Sequence, residues 1–363
     1  MSVFSNFVLS RSLTSRNPVR IDGDTAGAYI LPQTLNDSRV TTFRVSVDPR
    51  KLSQRLLGDS SSVSRALTNV RPIEFSRSHT LESTFDLARF NPSLGYQLAL
   101  GGFDSFLARN GQEAIGAANA TNTSISASID LRAGFSAQLN YSSTTADRYQ
   151  HKNGPTGFLQ TTGTTESWPS GRVNWVGSFR QGPITQVTAS TALQRDRATS
   201  SSPFGDGTTS SAASETQRFT PDLLLIFRNA ISFRASGEID RSNAAFGGNI
   251  SQTASANFSQ NASWSVRMPR FLSPTRRNLV TNVTVTESSS SSCIQRAADS
   301  ACVPYYDLRR FEVNTSARAM LQKGITAGLN FGYVHNDVRS LGQLTSTITI
   351  YATFSVPLSS LGM

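Results

Sequence analysis

Lysine is nearly missing from this chain: Lys51, Lys152 and Lys323 are the only three in 363 residues, so the formal charge of +10 rests on arginine. Apart from the pairs Arg276–Arg277 and Arg309–Arg310, those arginines stand singly along the sequence and form no larger cluster or helical stripe. That spacing argues against a nucleic-acid-binding surface, which gathers its cations on one face. No run of about 18 apolar residues occurs, so no segment can cross a membrane as a helix; a membrane-spanning form would have to be a barrel. The opening "MSVFSNFVLSRSLTSR" has neither a basic leader nor a long apolar stretch, and so is no secretory signal. An exported chain of this kind is expected to carry its signal upstream of Met1, as the C-terminal portion of a longer protein. Catalytic signatures are missing too: there is no HExxH, P-loop, G-x-S-x-G or CxxC. His79, His151 and His335 are scattered and read as solvated loop or strand-end residues. The expectation is a protein that is not an enzyme, with no cofactor and no metal.

Apolar residues make up 37% and charged residues only 16%, both low for a globular protein. What fills the gap is Ser, Thr, Asn, Gly and Gln. Such a composition can signal disorder, but 21 Phe, 8 Tyr and 3 Trp argue for an ordered chain. A sheet with one polar and one apolar face uses the same residues.

Alternation is what the chain has in abundance. From Val313 every second residue is apolar or nearly so: Val313, Thr315, Ala317, Ala319 and, after a break at 322–324, Ile325, Ala327, Leu329, Phe331, Tyr333. The residues between are polar or small. The same period of two runs through Ile125 to Leu131, Phe135 to Tyr141, Val173 to Phe179, Val187 to Leu193, Phe219 to Phe227, Ile231 to Ile239, Ala254 to Met268, Leu279 to Val285 and Ile348 to Val356. A period of two is the mark of a strand. Many runs are longer than the five or six residues of an ordinary globular strand and reach the 9–11 or so that a tilted strand needs to cross a bilayer. Short breaks at 132–134, 180–182, 228–230 and 322–324 alternate with long polar stretches, among them "TTADRYQHKNGPTGFLQTTGTTES" and "ESSSSSCIQRAADSACVPYYD". Tight turns on one side and long loops on the other are expected of an outer-membrane barrel. The polar parity carries charge: Arg234 and Glu238 on one run, Glu312 and Arg318 on another. In a dry core these would be costly, whereas in a wet lumen they cost little. They are the candidate lumen-facing residues, with the opposite parity toward lipid.

The first part of the chain differs. "VTTFRVSVDP" predicts a strand ending at Asp48 and Pro49. Leu52, Leu56 and Leu57, then Val63, Ala66 and Leu67, have helical spacing and predict two short helices separated by Gly58 and ended by Pro72. The segment around Gly101 and Gly102 is neither clean strand nor clean helix and predicts an ordered loop or plug. Residues 1–120 are therefore expected to form a mixed strand, helix and plug-like region. Residues 121–358 are expected to be consecutive long antiparallel hairpins of a barrel wall, and 359–363 a tail. Eleven to fourteen strands is the expected range, by the runs above and about ten residues each. Cys293 and Cys302, the only cysteines, fall in one long polar stretch. In an oxidising compartment they are expected to staple it as a disulfide; in the cytosol they would be two reduced thiols. The serine run 288–292 reads as solvated loop.

The stretch "NVRPIEFSRSHTLESTFDLARFNPSLGYQLALGG" resembles the SprA/Sov family, in which an Arg-Pro-Ile segment and a strand precede a Pro-x-Leu-x-Tyr-Gln-Leu motif near a glycine pair. Here the motif falls on Pro92, Leu94, Tyr96, Gln97, Leu98, Gly101 and Gly102. That family is the outer-membrane translocon of the type IX secretion system, tied also to gliding motility, and its members are several times longer than this chain. The resemblance implies an all-β transmembrane barrel of about 36 strands, of which this chain would be the C-terminal part. It also implies location in the outer membrane. The implied partners are outer-membrane lipid, secreted cargo proteins and plug or accessory proteins of a secretion system, with no nucleic acid. Three other readings remain open on the residues alone: a self-contained porin or small-solute transporter, a soluble or surface-attached β-rich adhesion module, and a nucleic-acid-binding structural protein.

Overall fold

The computed structural model describes residues 2–15, 19–20, 29–30, 33–57, 67–86, 108–109, 112–131, 134–151, 158–203, 209–268, 278–297, 301–320 and 326–355. Eighteen strands occur among them. In chain order they are β1 (Ser2–Ser15), β2 (Val19–Arg20), β3 (Tyr29–Ile30), β4 (Gln33–Val47), β5 (Ile73–Asp86), β6 (Ala108–Arg109), β7 (Gln112–Glu113), β8 (Gly116–Leu131) and β9 (Phe135–His151). Then follow β10 (Phe158–Ser178), β11 (Ile184–Pro203), β12 (Thr209–Phe227), β13 (Ser232–Phe246), β14 (Asn249–Arg267), β15 (Asn278–Gln295), β16 (Val303–Met320), β17 (Thr326–Val338) and β18 (Gln343–Ser355). Fourteen of them form one sheet in the order β1-β4-β5-β8-β9-β10-β11-β12-β13-β14-β15-β16-β17-β18, while β2-β3 and β6-β7 are separate two-stranded ribbons. The fold class is all-β, an antiparallel meander in which each strand of the sheet lies beside the sheet strand before it, the two ribbons being inserted between β1 and β4 and between β5 and β8.

The chain divides into two compact units: 1–128 with 139–168 and 196–214, and 129–138 with 169–195 and 215–363. The expected boundary near residue 120 falls within β8, and β1, β4 and β5 belong to the same sheet as the later strands. Of the two expected helices, the first is α1 (Pro49–Leu57). Asp48 caps it, its Oδ1 accepting from the Arg50 and Lys51 backbone N–H groups at 3.1 and 3.2 Å. Pro49 sits where a missing N–H costs nothing. The second, expected from Val63 and Ala66, lies mostly outside the described residues, which resume with a 3-10 turn at Leu67–Asn69. The family-motif residues Pro92 to Gly102 lie outside the described residues.

The strands of the sheet run from 13 to 21 residues, longer than the alternating runs suggest. The described residues of the long polar stretches are mostly strand rather than loop. Residues 152–157 alone join β9 to β10, 204–208 join β11 to β12, and Gly247 and Gly248 alone join β13 to β14. The serine run 288–292 lies within β15, paired to residues 253–257 of β14. The expected contrast between tight turns and long loops is thus absent from these hairpins. Ser and Thr alternate there with other small polar residues and pair well across strands, as Thr164 does with Thr199 and Ser232 with Ser263. The Gly247 and Gly248 turn has φ of 56° and 82°, the double positive φ of the two-residue hairpin that matches strand twist. Gly134 (φ +76°) turns the chain between β8 and β9, and an added Cβ there would run into the Val176 carbonyl.

Very little is buried. Among the described residues the buried hydrophobic side chains are Leu81, Ala114, Ala117, Met268 and Ala319. By contrast, Leu329, Ile348, Ile350 and Phe354 are 56%, 64%, 68% and 73% exposed. The sheet has apolar residues in quantity and no second layer over them among the described residues.

Candidate functional site: a two-faced sheet

The register of the second unit lines side chains into rows across six strands, β13 to β18. One row reads Phe233, Ala262, Val283, Thr315, Phe331, Ile350, and a second Ala235, Gln260, Val285, Val313, Tyr333, Ile348. Toward the turn end, from β14 on, come Trp264, Thr281, Ala317, Leu329, Ala352 and then Val266, Leu279, Ala319, Ala327, Phe354. Directly paired residues share a face and successive residues alternate, so these rows make one band, apolar except at Gln260, Thr281 and Thr315. At its far border Phe311 and Tyr333 meet edge to face at 6.4 Å. Beyond it the same face turns polar, with Glu287 opposite Phe311 and Arg309 opposite Asp337.

The rows between belong to the other face. Arg234, Asn261, Thr284, Asn314, Gly332 and Thr349 form one, and Ser232, Ser263, Asn282, Ser316, Asn330 and Tyr351 the next. Glu238 opens the row Asn257, Ser288, Arg310, Asn336, Thr345; Ser236 and Glu312 share another. Arg318 lies opposite Val280 and Gly328. Arg234, Glu238, Glu312 and Arg318 therefore stand on one face, across strands β13 and β16. Val280 and Val334 are apolar exceptions on it.

Three of those four are held in polar groups. Arg234 donates from Nε and Nη2 to the two Asp222 carboxylate oxygens at 3.1 and 2.7 Å. Glu238 and Asp240 share Arg218, whose Nε lies 3.2 and 2.8 Å from them. Glu312 accepts from Arg310 Nη2 at 2.7 Å and from the Asn314 amide. Asn261 donates to both Asn282 and Thr284 at 2.8 Å. Asp222, Arg218 and the Asn261 cluster are not visible as partners in the sequence, because their partnership is set by register; Arg310, two residues from Glu312 on the same strand, is a same-parity neighbour. The parity of each residue was the only signal available.

The first unit repeats the pattern on a smaller scale. Arg44, Ser76 and Ser124 form one row and Ser46, Glu74 and Ser126 the next, lining a polar trough of about 640 Å³. His79 Nε2 lies 2.7 Å from Asn119 Oδ1 within this sheet, and in the second unit His335 Nδ1 lies 2.9 Å from Ser346 Oγ. Among the described residues no group of three His, Cys, Asp or Glu side chains could hold a metal. No described helix is long and apolar enough to cross a membrane, which says nothing of strands.

Glycine shapes the apolar face. The Phe258 ring lies over Gly237, where an added Cβ would come within 2.8 Å of Cδ1. This leaves a depression of about 410 Å³ bordered by Trp175, Pro221 and Phe258. Cys293 and Cys302 are joined, with Cα atoms 5.5 Å apart. Cys293 lies on β15 and only Cys302 in the connection to β16, rather than both in one loop.

No protein-family model matches the chain, and no curated protein is significantly similar to it. Among solved structures, it is similar to the β domain of the Bordetella autotransporter BrkA at 12% identity, over 66% of this chain and 91% of that one, with a TM-score of 0.26. It is similar to the ferric-catecholate import receptor Fiu of E. coli K12 in its open form at 10% identity, over 95% of this chain, with a TM-score of 0.33. The chain spans 63% of the length of Fiu. The ferric yersiniabactin uptake receptor FyuA of Yersinia pestis is similar at 9% identity, over 93% of this chain and 57% of that one, with a TM-score of 0.32. Likeness at this level decides neither fold nor function.

Proposed function

We propose that the chain is wall of an outer-membrane β-barrel whose polar face borders a water-filled conduit, and that the conduit passes proteins outward. The observation that carries the barrel reading is the apolar band. It runs over six strands, half-exposed on β13 to β16 and most exposed on β17 and β18, at Leu329, Ile348, Ile350 and Phe354, and is backed by a face of charge and amide. Water penalises such a band at roughly 25 cal/mol per Å², and a bilayer removes the penalty. The strands exceed the span a bilayer asks for, and the aromatic pair Phe311 and Tyr333 sits where the band ends, as interfacial aromatics do in such barrels. The polar face needs no chemistry beyond wetting and electrostatics. Passage of protein, rather than small solute, is supported by the resemblance of the Pro92 to Gly102 motif to the type IX translocon.

Single cysteines at Leu329 and Ile350, and at Asn330 and Tyr351, test the barrel reading when each carries an environment-sensitive fluorophore in a Cys293→Ser/Cys302→Ser chain. Brominated lipids are expected to quench the first pair and spare the second. Equal quenching at all four, or a chain that stays monomeric in buffer without detergent, would sink it. A porin-like wall is the second reading, supported by the same band. Liposomes loaded with a small dye and a folded reporter protein separate the two: release of dye alone favours the porin.

A further inference from the structure

Beyond the apolar band, on the same face, the second unit holds a polar cleft of about 460 Å³, within the roughly 300–1,000 Å³ of small-molecule sites. Its floor is low because Ala254 and Ser291 face each other across β14 and β15. Their outward neighbours in the row are Arg241 on β13 and Asp307 on β16. Three strand spacings separate those two, about 14 Å. One row farther from the band, Asn243 and Gln252 are paired, and Gln252 faces Cys293 of the disulfide. A β-bulge at Ser292 and Cys293 re-aims the wall here. Glu215 and Gln217 on β12 close the other side. The Glu215 carboxylate accepts from Gln217 at 2.7 Å and from Arg195 at 2.8 Å.

We infer that this cleft binds a sugar head group. Paired amides supply donors and acceptors side by side, as adjacent hydroxyls require. Carboxylates at both ends accept from hydroxyls and repel phosphate. With one arginine and two carboxylates, one already held by Arg195, the lining has little net charge to attract an anion. The floor next to the cleft, Ile239 paired with Ala256, continues down to Phe258 and the apolar band. A glycolipid would seat its sugars in the cleft and lay its chains along that band. The lipid source rests on the membrane reading above; the sugar chemistry does not.

The test uses the full chain in detergent and in phosphatidylcholine nanodiscs. Free digalactosylglycerol is titrated in detergent by calorimetry. Nanodiscs with digalactosyldiacylglycerol or with phosphatidylglycerol are compared for lipid retained in native mass spectrometry. Binding of the glycolipid is expected. It should weaken about tenfold in Asn243→Ala/Gln252→Ala, the equivalent of one well-made hydrogen bond, and vanish in Ser291→Phe, which fills the floor. Binding of the free head group as well would assign the source to soluble glycan. Absence of both, equal retention of phosphatidylglycerol, or binding unchanged by the double variant would overturn the inference. A chain that does not enter nanodiscs at all sinks the membrane reading instead, and the detergent titration still decides the sugar.

Discussion

At the scale of single residues, Ala230 is out of place. It turns the chain between β12 and β13 with φ of 61°, in the left-handed region where a Cβ crowds the following carbonyl. It is the only such non-glycine among the described residues. Replacing it by glycine removes roughly 1 kcal/mol of strain, so Ala230→Gly is expected to raise the midpoint of thermal unfolding in detergent. A fall would mean that the alanine methyl makes a contact worth more than the strain. The break at 228–230 was legible as a turn, but its handedness was not, since nothing in "RNA" announces a positive φ. Gly247 and Gly248 are the composition of a two-residue hairpin turn, yet in sequence the whole stretch "DRSNAAFGGN" reads as a long polar loop, and the turn is not located within it.

Elements were legible by parity and poorly by length. Every run with apolar residues on alternate positions became a strand. Where both parities were polar, as in 288–292 or from Thr144 to Tyr149, alternation vanished from view although the chain continued as strand. Those segments are held by pairing with neighbours, which no single strand displays. The disulfide belongs to this scale as well. It joins the far end of β15 to the start of β16 and closes a short loop, which by chain entropy is worth about 2–3 kcal/mol. The Cys293→Ser/Cys302→Ser chain is expected to show faster amide exchange at the β15–β16 connection, with the exchange of β17 and β18 unchanged. Uniform acceleration over the sheet would mean that the crosslink holds more than its own hairpin.

For the whole molecule, the partition of faces is the property that sequence carried best and register completed. Alternation placed Arg234, Glu238, Glu312 and Arg318 on the polar parity of two separate runs. Only the pairing of β13 through β16 puts the two runs' polar parities on the same face. The consequence is measurable with two neighbouring substitutions. Ala317→Arg sets a cation in the middle of the apolar band and is expected to cost about 2–4 kcal/mol in a lipid-facing wall. Ser316→Arg adds the same charge to the polar face and is expected to cost much less. Unfolding by urea in lipid vesicles compares them; equal effects would contradict a lipid-facing band.

The order of the strands has a kinetic side. Because each strand of the sheet pairs with its predecessor, almost every contact joins segments close in the chain, and contact order is the quantity that slows folding. Loop-closure entropy is least where the connection is shortest. The β13–β14 hairpin, closed by Gly247 and Gly248 alone, is therefore the natural nucleus, from which the sheet grows outward in both directions one strand at a time.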